Sequence, residues 1–165
     1  MTEVYSGISL NDLRILLKQE VNEVTLEDLY DLSIHFNEET KYLPREYKKE
    51  YIDSVLNVII KRFALLKNDT ENYEGYLELD QIDNVNKLLK HESTLINHIL
   101  NVIVVYTTYL RKKPIHKPGT VFPGRVSIYC DGKNYFCPVK KYHMDNDKAL
   151  CKYCIAQAIE EWYYV

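Results

Sequence analysis

Prolines and glycines are distributed unevenly along this 165-residue chain, and their distribution limits where regular secondary structure can form. Only one of the five prolines, Pro44, and two of the five glycines lie in residues 1–110. Both residue types interrupt helices and mark turns. We therefore predict a helical body over residues 1–110. Residues 111–165 should form loops and short strands that pack on this body as one domain.

Apolar residues in the helical body recur at three- and four-residue steps, which is the spacing of amphipathic helices. We expect Asn11 to cap the first helix, and Thr25 with Asp28 to form a capping box that opens the second. Pro44 suits the first turn of a long third helix whose apolar residues mostly share one face. These three helices rest on both a start signal and a periodic pattern.

Two further helices are expected, from about Glu74 to Lys90 and from about Ser93 to Leu110. The second contains the β-branched run VIVVY, which would also suit a strand, but the length and spacing of its apolar pattern favour a buried helix. The predicted fold class is mainly α, with about five helices followed by a small C-terminal β-hairpin and a short terminal helix.

A DG pair at residues 131–132 separates two runs of aromatic and β-branched residues, which is typical of a two-residue type I′ hairpin turn. In that register Cys130 pairs with Lys133 beside the turn, and Cys137 pairs with Val126 four rows away. At roughly 3.4 Å per residue the two sulfurs start about 13 Å apart, too far for one zinc ion with bonds of about 2.3 Å. We therefore expect Cys130 not to share a metal site with Cys137.

The other three cysteines are candidate metal ligands. Cys137 ends a predicted strand, whereas Cys151 and Cys154 form a Cys-x2-Cys pair that opens the predicted helix YCIAQAIEEW. Together they supply three corners of a tetrahedral zinc shell, and either His116 or His143 could supply the fourth. Burial as small apolar side chains explains the pattern equally well. A redox pair and an iron-sulfur cluster rank behind zinc.

The segment after residue 110 carries ten lysine and arginine residues against five acidic ones, although the net charge of the chain is −3. Aromatic residues are interleaved with these cations, as in surfaces that contact phosphates and stack on bases. A module for RNA or single-stranded nucleic acid would use Arg125, Lys133, Tyr135, Lys140 and Lys141. A solvated basic face, or one docked on the acidic body, is the simpler interpretation, because the sequence pI is about 6.0.

The location and the kind of activity are constrained mainly by what the sequence lacks. The N-terminal residues have no basic start followed by an apolar run, and the stretch from Leu95 to Leu110 is too short and too polar to span a bilayer. We therefore expect a cytoplasmic protein without membrane association, whose cysteines stay thiols or ligands. No acid-base or nucleophile constellation is recognisable, so a noncatalytic interaction or regulatory role with a protein partner is favoured over an enzyme.

The run VVYTTYLRKKPIHKPGTVFPGRVSIYCDGKNYFCPVKKYHMDNDKALCKYCIAQ resembles the C-terminal signature of the archaeal domain-of-unknown-function family 2115, found chiefly in methanogens. The stretch KYLPREYKKEYIDSVLNVIIKRF is similar to the central helix of that family. The resemblance therefore covers most of the chain. It implies an archaeal source but no particular reaction.

The family pattern extends to the candidate ligands. It contains residues equivalent to His116, Gly119, Thr120, Phe122, Pro123, Gly124, Cys137, Pro138, Cys151 and Cys154. Lys117 and Arg125 stand where the pattern has proline and glycine. Cys130 and His143 are peculiar to this sequence, and the resemblance therefore favours His116 as the fourth metal ligand.

Overall fold

The structure is a computed structural model that describes residues 3–90 and 94–159. The described residues form five α-helices, and a π-helix follows the fifth directly. Their bounds are α1 (Leu10–Glu20), α2 (Leu26–Glu39), α3 (Arg45–Asn68), α4 (Leu79–Lys90), α5 (Leu95–Val105) and the π-helix (Tyr106–Leu110). The predicted fold class, mainly α with a small β appendage, is confirmed. Within the described ranges, no helix has the length and apolarity that crossing a lipid bilayer requires.

Side chains that accept backbone hydrogen bonds begin the first two helices. The predicted capping box of Thr25 and Asp28 is confirmed at the start of α2. The predicted cap of α1 was wrong, because Ser9 accepts the hydrogen bond from a backbone N–H in the first turn. Asn11 lies inside the helix, where its side-chain oxygen accepts a hydrogen bond from the backbone N–H of Tyr73 at 2.7 Å.

That hydrogen bond belongs to an extended segment that shortens the predicted fourth helix. α4 begins at Leu79, five residues later than expected. The residues before it run along the N-terminal segment: Leu10 N donates to Gly75 O at 3.0 Å, and Leu77 N donates to Ile8 O at 3.2 Å. Because these backbone groups are paired with another segment, the helix cannot start there.

α5 and the π-helix form the centre of the helical body. The run VIVVY lies within α5 and the first residue of the π-helix, which confirms a helix and not a strand there. Every residue from Asn101 to Leu110 is buried. The last turn widens, and Arg111 N donates to Tyr106 O across five residues. π-helical turns of this kind are rare and occur frequently at functional sites.

The segment after residue 110 contains two small sheets and two 3₁₀ helices. β1 (Val121–Phe122) and β2 (Val126–Ser127) form an antiparallel pair. The second sheet has the order β3-β4-β5, with β3 (Tyr129–Cys130) antiparallel and β5 (Gln157–Ala158) parallel to the central β4 (Tyr135–Cys137). The 3₁₀ helices, Lys140–His143 and Leu150–Tyr153, lie between β4 and β5 along the chain.

The predicted register of the hairpin was wrong. Cys130 pairs with Tyr135 and not with Lys133, so the loop contains four residues and not two. Asp131 explains the longer loop, because its carboxylate accepts hydrogen bonds from the backbone N–H groups of Lys133 and Asn134 at 2.8 and 2.6 Å. Aspartate side chains often close turns by such local bonds.

The predicted terminal helix was also wrong over its described part. The Cys-x2-Cys pair lies on one 3₁₀ turn, and the backbone is already extended at Cys154. The Lys140 ammonium group donates to the carbonyl oxygens of Cys154 and Ala156 at 2.7 and 2.8 Å, and β5 then pairs with β4. These tertiary bonds replace those that a helix would form. The rest of the predicted helix, residues 160–162, lies outside the described residues.

Arg62 on α3 fastens the proline-rich loop to the helical body. Its Nη1 donates to Ile115 O at 2.5 Å and its Nη2 donates to Pro114 O at 2.6 Å. These bonds place His116, the next residue in the chain, against the side of α3. The cysteine-bearing part of the segment is thereby held beside the same helix.

Candidate functional site

Three of the four cysteines lie close together where β4, the second 3₁₀ helix and the approach to β5 meet. Burial, together with negative charge on Cys137 and Cys154, raises the pKa of the Cys151 thiol to about 11. Burial also raises the pKa of Cys137, and charge on Cys154 adds to that effect. Electrostatic effects of this kind act over several ångströms, and Cys137 and Cys154 also belong to one packed cluster. The structure therefore places Cys137, Cys151 and Cys154 in the same region of the fold, which we call the cysteine group.

Backbone N–H groups point at two of these sulfurs. Ile115 N donates to the Sγ atom of Cys154 at 3.3 Å. The backbone N–H groups of Val139 and Lys140 bond to Cys137 and act to lower its pKa, against the stronger effect of burial. Donors of this kind stabilise a thiolate relative to a thiol. These donors offset part of the effect of burial, which still holds the pKa of Cys137 above its usual value.

Positive side chains also lie beside the three cysteines. Burial lowers the pKa of Arg62 to about 10, whereas charge on Cys154 acts in the opposite direction. The hydrogen bonds described for Arg62 go to two neutral carbonyls, and none of the ion pairs found within residues 3–90 and 94–159 includes it. The charge of Lys140 lowers the pKa of both Cys137 and Cys151, although burial has the larger effect on each.

His116 lies in an aromatic pocket next to the cysteine group. Its Nε2 atom is 3.5 Å from the hydroxyl of Tyr51, and its ring meets Phe122 edge-on with centroids 5.2 Å apart. Burial lowers the pKa of His116 to about 4, and the charges of Arg62 and His143 act in the same direction. His116 is therefore a neutral imidazole at pH 7, which is the form that binds metals.

The four predicted ligands do not meet at one point. Within the part of the chain that the structure describes, no group of three or more His, Cys, Asp or Glu side chains is arranged to hold a metal ion. His116 is nevertheless linked to the cysteines through its neighbours. Burial raises the pKa of Tyr51 to about 12, with charge on Cys151 as the next contribution, and Ile115 bonds to Cys154.

Cys130 lies apart from the other three cysteines. It is exposed in β3, and its Sγ atom accepts a hydrogen bond from Gly132 N at 3.4 Å inside the hairpin loop. The corrected hairpin register puts Cys130 opposite Tyr135, two residues from Cys137. At roughly 3.4 Å per residue, Cys130 and Cys137 are therefore about 7 Å apart along the strand direction, and not 13 Å. The expectation that Cys130 does not share a metal site with Cys137 is now supported by the exposure of Cys130 and no longer by the predicted register.

The candidate nucleic-acid residues occupy different settings. Arg125 and Lys133 are exposed, and Lys141 is half-buried. The hydroxyl of Tyr135 accepts a hydrogen bond from the ammonium group of Lys113 at 2.9 Å, which also lies 5.6 Å from the centre of its ring. Lys140 points toward the cysteine group, where its ammonium group donates to two carbonyl oxygens.

Arg62 is the site residue that the sequence interpretation missed. It follows Val55 by seven positions and Ile59 by three, and therefore lies on the buried stripe of α3. Charged residues are almost never fully buried in proteins unless they are paired. A single arginine in an otherwise apolar stripe was the available signal, and it indicated a partner elsewhere in the chain.

Comparisons with known proteins agree with the resemblance found in the sequence. The family model described as "Uncharacterized protein conserved in archaea (DUF2115)" matches residues 9–159. A UPF0305 protein of Methanothermobacter thermautotrophicus is 30% identical over 149 residues, which are 86% of this chain and 91% of the relative. UPF0305 protein MJ0646 of Methanocaldococcus jannaschii is 29% identical over 154 residues, covering 88% and 93%. No solved structure matches. This chain belongs to the DUF2115 family of archaeal proteins.

Proposed function

We propose that Cys137, Cys151 and Cys154 bind one metal ion, zinc in the first instance, with a histidine as the fourth ligand. The ion would hold together the parts of the loop-rich C-terminal segment that carry its ligands, next to Arg62 of α3. Its role would be structural, in a protein whose function is noncatalytic interaction or regulation. The observation that carries the proposal is the positive charge of the half-buried Arg62, which acts on Cys154 and has no acidic partner among the described residues.

The charges balance when the site holds a metal. Burying an unpaired guanidinium group costs several kcal/mol, and three neutral thiols offset little of that cost. A zinc ion with three thiolates and one neutral imidazole carries a net charge of −1. Arg62 would neutralise that charge, and Lys140 would add further stabilisation. The N–H groups that point at Cys137 and Cys154 would then donate to bound thiolates, as outer-shell donors do in metal sites.

His116 is the first choice for the fourth ligand. It is neutral, and it adjoins Ile115, whose N–H bonds to Cys154. Binding would require its imidazole to exchange the contact with Tyr51 for the metal. His143 is the alternative, since its charge already acts on His116 and it ends the first 3₁₀ helix. The closed shell of one histidine and three cysteines is typical of structural zinc.

The test is the metal content of purified protein, measured by inductively coupled plasma mass spectrometry. We expect about one zinc per chain in the wild type, and loss of most of it in Cys151→Ser. The matched control is Cys130→Ser, which removes the exposed cysteine and should retain the metal. His116→Ala and His143→Ala, measured separately, identify the fourth ligand.

Three results would overturn the proposal. Wild-type protein that neither contains zinc nor takes it up after reduction would show that the cysteines are simply buried thiols. Equal metal loss in Cys151→Ser and Cys130→Ser would place the metal elsewhere. Iron with visible absorbance would replace zinc by an iron-sulfur cluster on the same three cysteines.

A further inference from the structure

A large cavity opens between the helical body and the C-terminal segment. Its volume is about 2170 Å³. Side chains from α2, α3, α4 and α5 form one side, and both 3₁₀ helices contribute to the other. Ligand sites in proteins are typically about 300–1,000 Å³, so a small molecule would fill only part of this space.

The lining of the cavity is positively charged although the chain as a whole is negative. Five of its residues are lysine or arginine and two are acidic, whereas the net charge of the chain is −3. The cations are Arg62, Lys87, Lys90, Lys148 and Lys152, and the acidic residues are Glu39 and Asp147. A concave surface with one sign of charge concentrates ligands of the opposite sign.

These cations come from separate parts of the chain. Lys87 and Lys90 belong to α4, Arg62 to α3, and the other two to the C-terminal segment. Lys90 pairs with Glu3 at 2.6 Å, and Lys152 pairs with Asp147 at 2.8 Å. Lys87 and Lys148 are both exposed and line the cavity, one from the helical body and the other from the C-terminal segment.

The rest of the lining suits an apolar ligand body with a few polar atoms. The apolar surface includes Phe36, Leu100, Ile103, Val104, Leu150 and Tyr153. Thr107, on the π-helix, also lines the cavity; it is completely buried, and its hydroxyl has no hydrogen-bond partner among the described residues. Buried hydroxyl groups in native proteins are normally hydrogen-bonded. The Thr107 hydroxyl is closed off from solvent, so the inference below does not depend on it.

We infer that this cavity binds a small organic anion whose body is aromatic or otherwise apolar. The negative group would lie near the lysines at the opening, and the apolar body would pack on the side chains of α5 and the second 3₁₀ helix. The inference rests on the charge and the lining of the cavity, which also includes the proposed zinc ligands Cys151, His116 and His143, and zinc content is therefore measured beside ligand binding. It goes beyond the proposed structural metal, because it assigns a ligand to the protein.

Two fluorescent probes with the same rings test the role of charge. The anionic probe is 8-anilinonaphthalene-1-sulfonate, and N-phenyl-1-naphthylamine is the same molecule without the sulfonate. Each is titrated into wild-type protein and into the double variant Lys87→Gln/Lys148→Gln. Lys49→Gln is the matched control, because Lys49 is an exposed lysine of α3 that does not line the cavity. Zinc content and circular dichroism are measured on the same samples.

Saturable binding of one sulfonate probe per chain is expected. The double variant should bind it about two- to thirtyfold more weakly, which is the combined effect expected from removing two exposed charge pairs. Affinity for the uncharged probe should change by less than about twofold, and Lys49→Gln should alter neither. The inference is overturned if the sulfonate probe does not saturate, if both probes weaken equally, or if Lys49→Gln has the same effect as the double variant.

Discussion

Tyr106→Phe is expected to destabilise the protein through the buried carboxylate of Asp69. Asp69 follows α3, and its side chain accepts hydrogen bonds from the hydroxyls of Tyr73 and Tyr106 at 2.7 and 2.8 Å and from Glu71 N at 2.8 Å. Burial acts to raise the pKa of Asp69, but these bonds and the charge of Arg111 bring it below the usual value. The group joins the end of α3 to the π-helix.

The magnitude follows from the charge of the acceptor. Hydrogen bonds to charged groups contribute about 1.5–3 kcal/mol, and the two bonds that remain on Asp69 in the variant favour the lower end. We expect the free energy of unfolding to fall by about 1.5–2 kcal/mol at pH 7. For a protein of this size that corresponds to a decrease in melting temperature of about 3–8 °C.

The pH dependence separates this effect from simple loss of packing. A carboxyl group whose folded-state pKa is lowered contributes stability above its unfolded pKa, and loses it as the pH falls through the folded pKa. The difference between wild type and Tyr106→Phe should therefore be constant near pH 7. It should shrink as the pH falls below about 4, the usual pKa of aspartate in an unfolded chain, and on through the lower folded-state pKa of Asp69.

Tyr109→Phe is the matched control for this experiment. Tyr109 belongs to the same π-helix and is also buried, but its hydroxyl bonds to the neutral amide of Asn84. Its loss should cost about 0.5–1.5 kcal/mol with no change below pH 4. Urea denaturation of the three proteins at several pH values gives the comparison. Equal costs for the two variants at pH 7, or a cost for Tyr106→Phe that does not shrink in acid, would refute the reasoning.

Two further predictions concern local backbone structure, and urea denaturation measures both. Thr25→Ala removes one half of the capping box and should lower the free energy of unfolding by about 1 kcal/mol. The control is Ser33→Ala, which lies in the same helix away from the cap and should change that free energy little. Equal effects of the two variants would contradict the capping role. Arg125 has a φ of +59°, so Arg125→Gly should raise the free energy of unfolding by up to about 1 kcal/mol. Lys117→Gly is the control and should not raise it. A loss of stability in Arg125→Gly would show that the side chain of Arg125 contributes more than its backbone strain costs.

At Arg125 the residue type that the family resemblance implies can be compared with the backbone conformation. The resemblance described above implies glycine at this position, and the backbone offers a physical reason for it. Gly124 and Arg125 both have positive φ values, 88° and 59°, in the turn between β1 and β2. Glycine adopts such values at little cost, whereas a residue with a side chain does not. The departure from the pattern is therefore a strained turn and not a different fold.

The helical body could be predicted because its signals are local. The capping box at Thr25 lies at the start of α2, and the apolar stripe that predicts α3 lies within that helix. Both helices are present in the structure. The buried helix over VIVVY followed from its length. The sequence did not indicate that this helix ends as a π-helix, because that widening coincides with contacts to residues far away in the chain, such as Asp69.

The C-terminal segment depended on tertiary contacts, and there the sequence was less informative. Local pattern favoured a helix after Cys151, but the Lys140 ammonium group and the edge of β4 pair with that backbone and extend it. Residue types and spacing alone were enough to single out Cys137, Cys151 and Cys154. The setting of Arg62 beside them came only from the fold, since a buried charge is defined by what surrounds it and not by its neighbours in sequence.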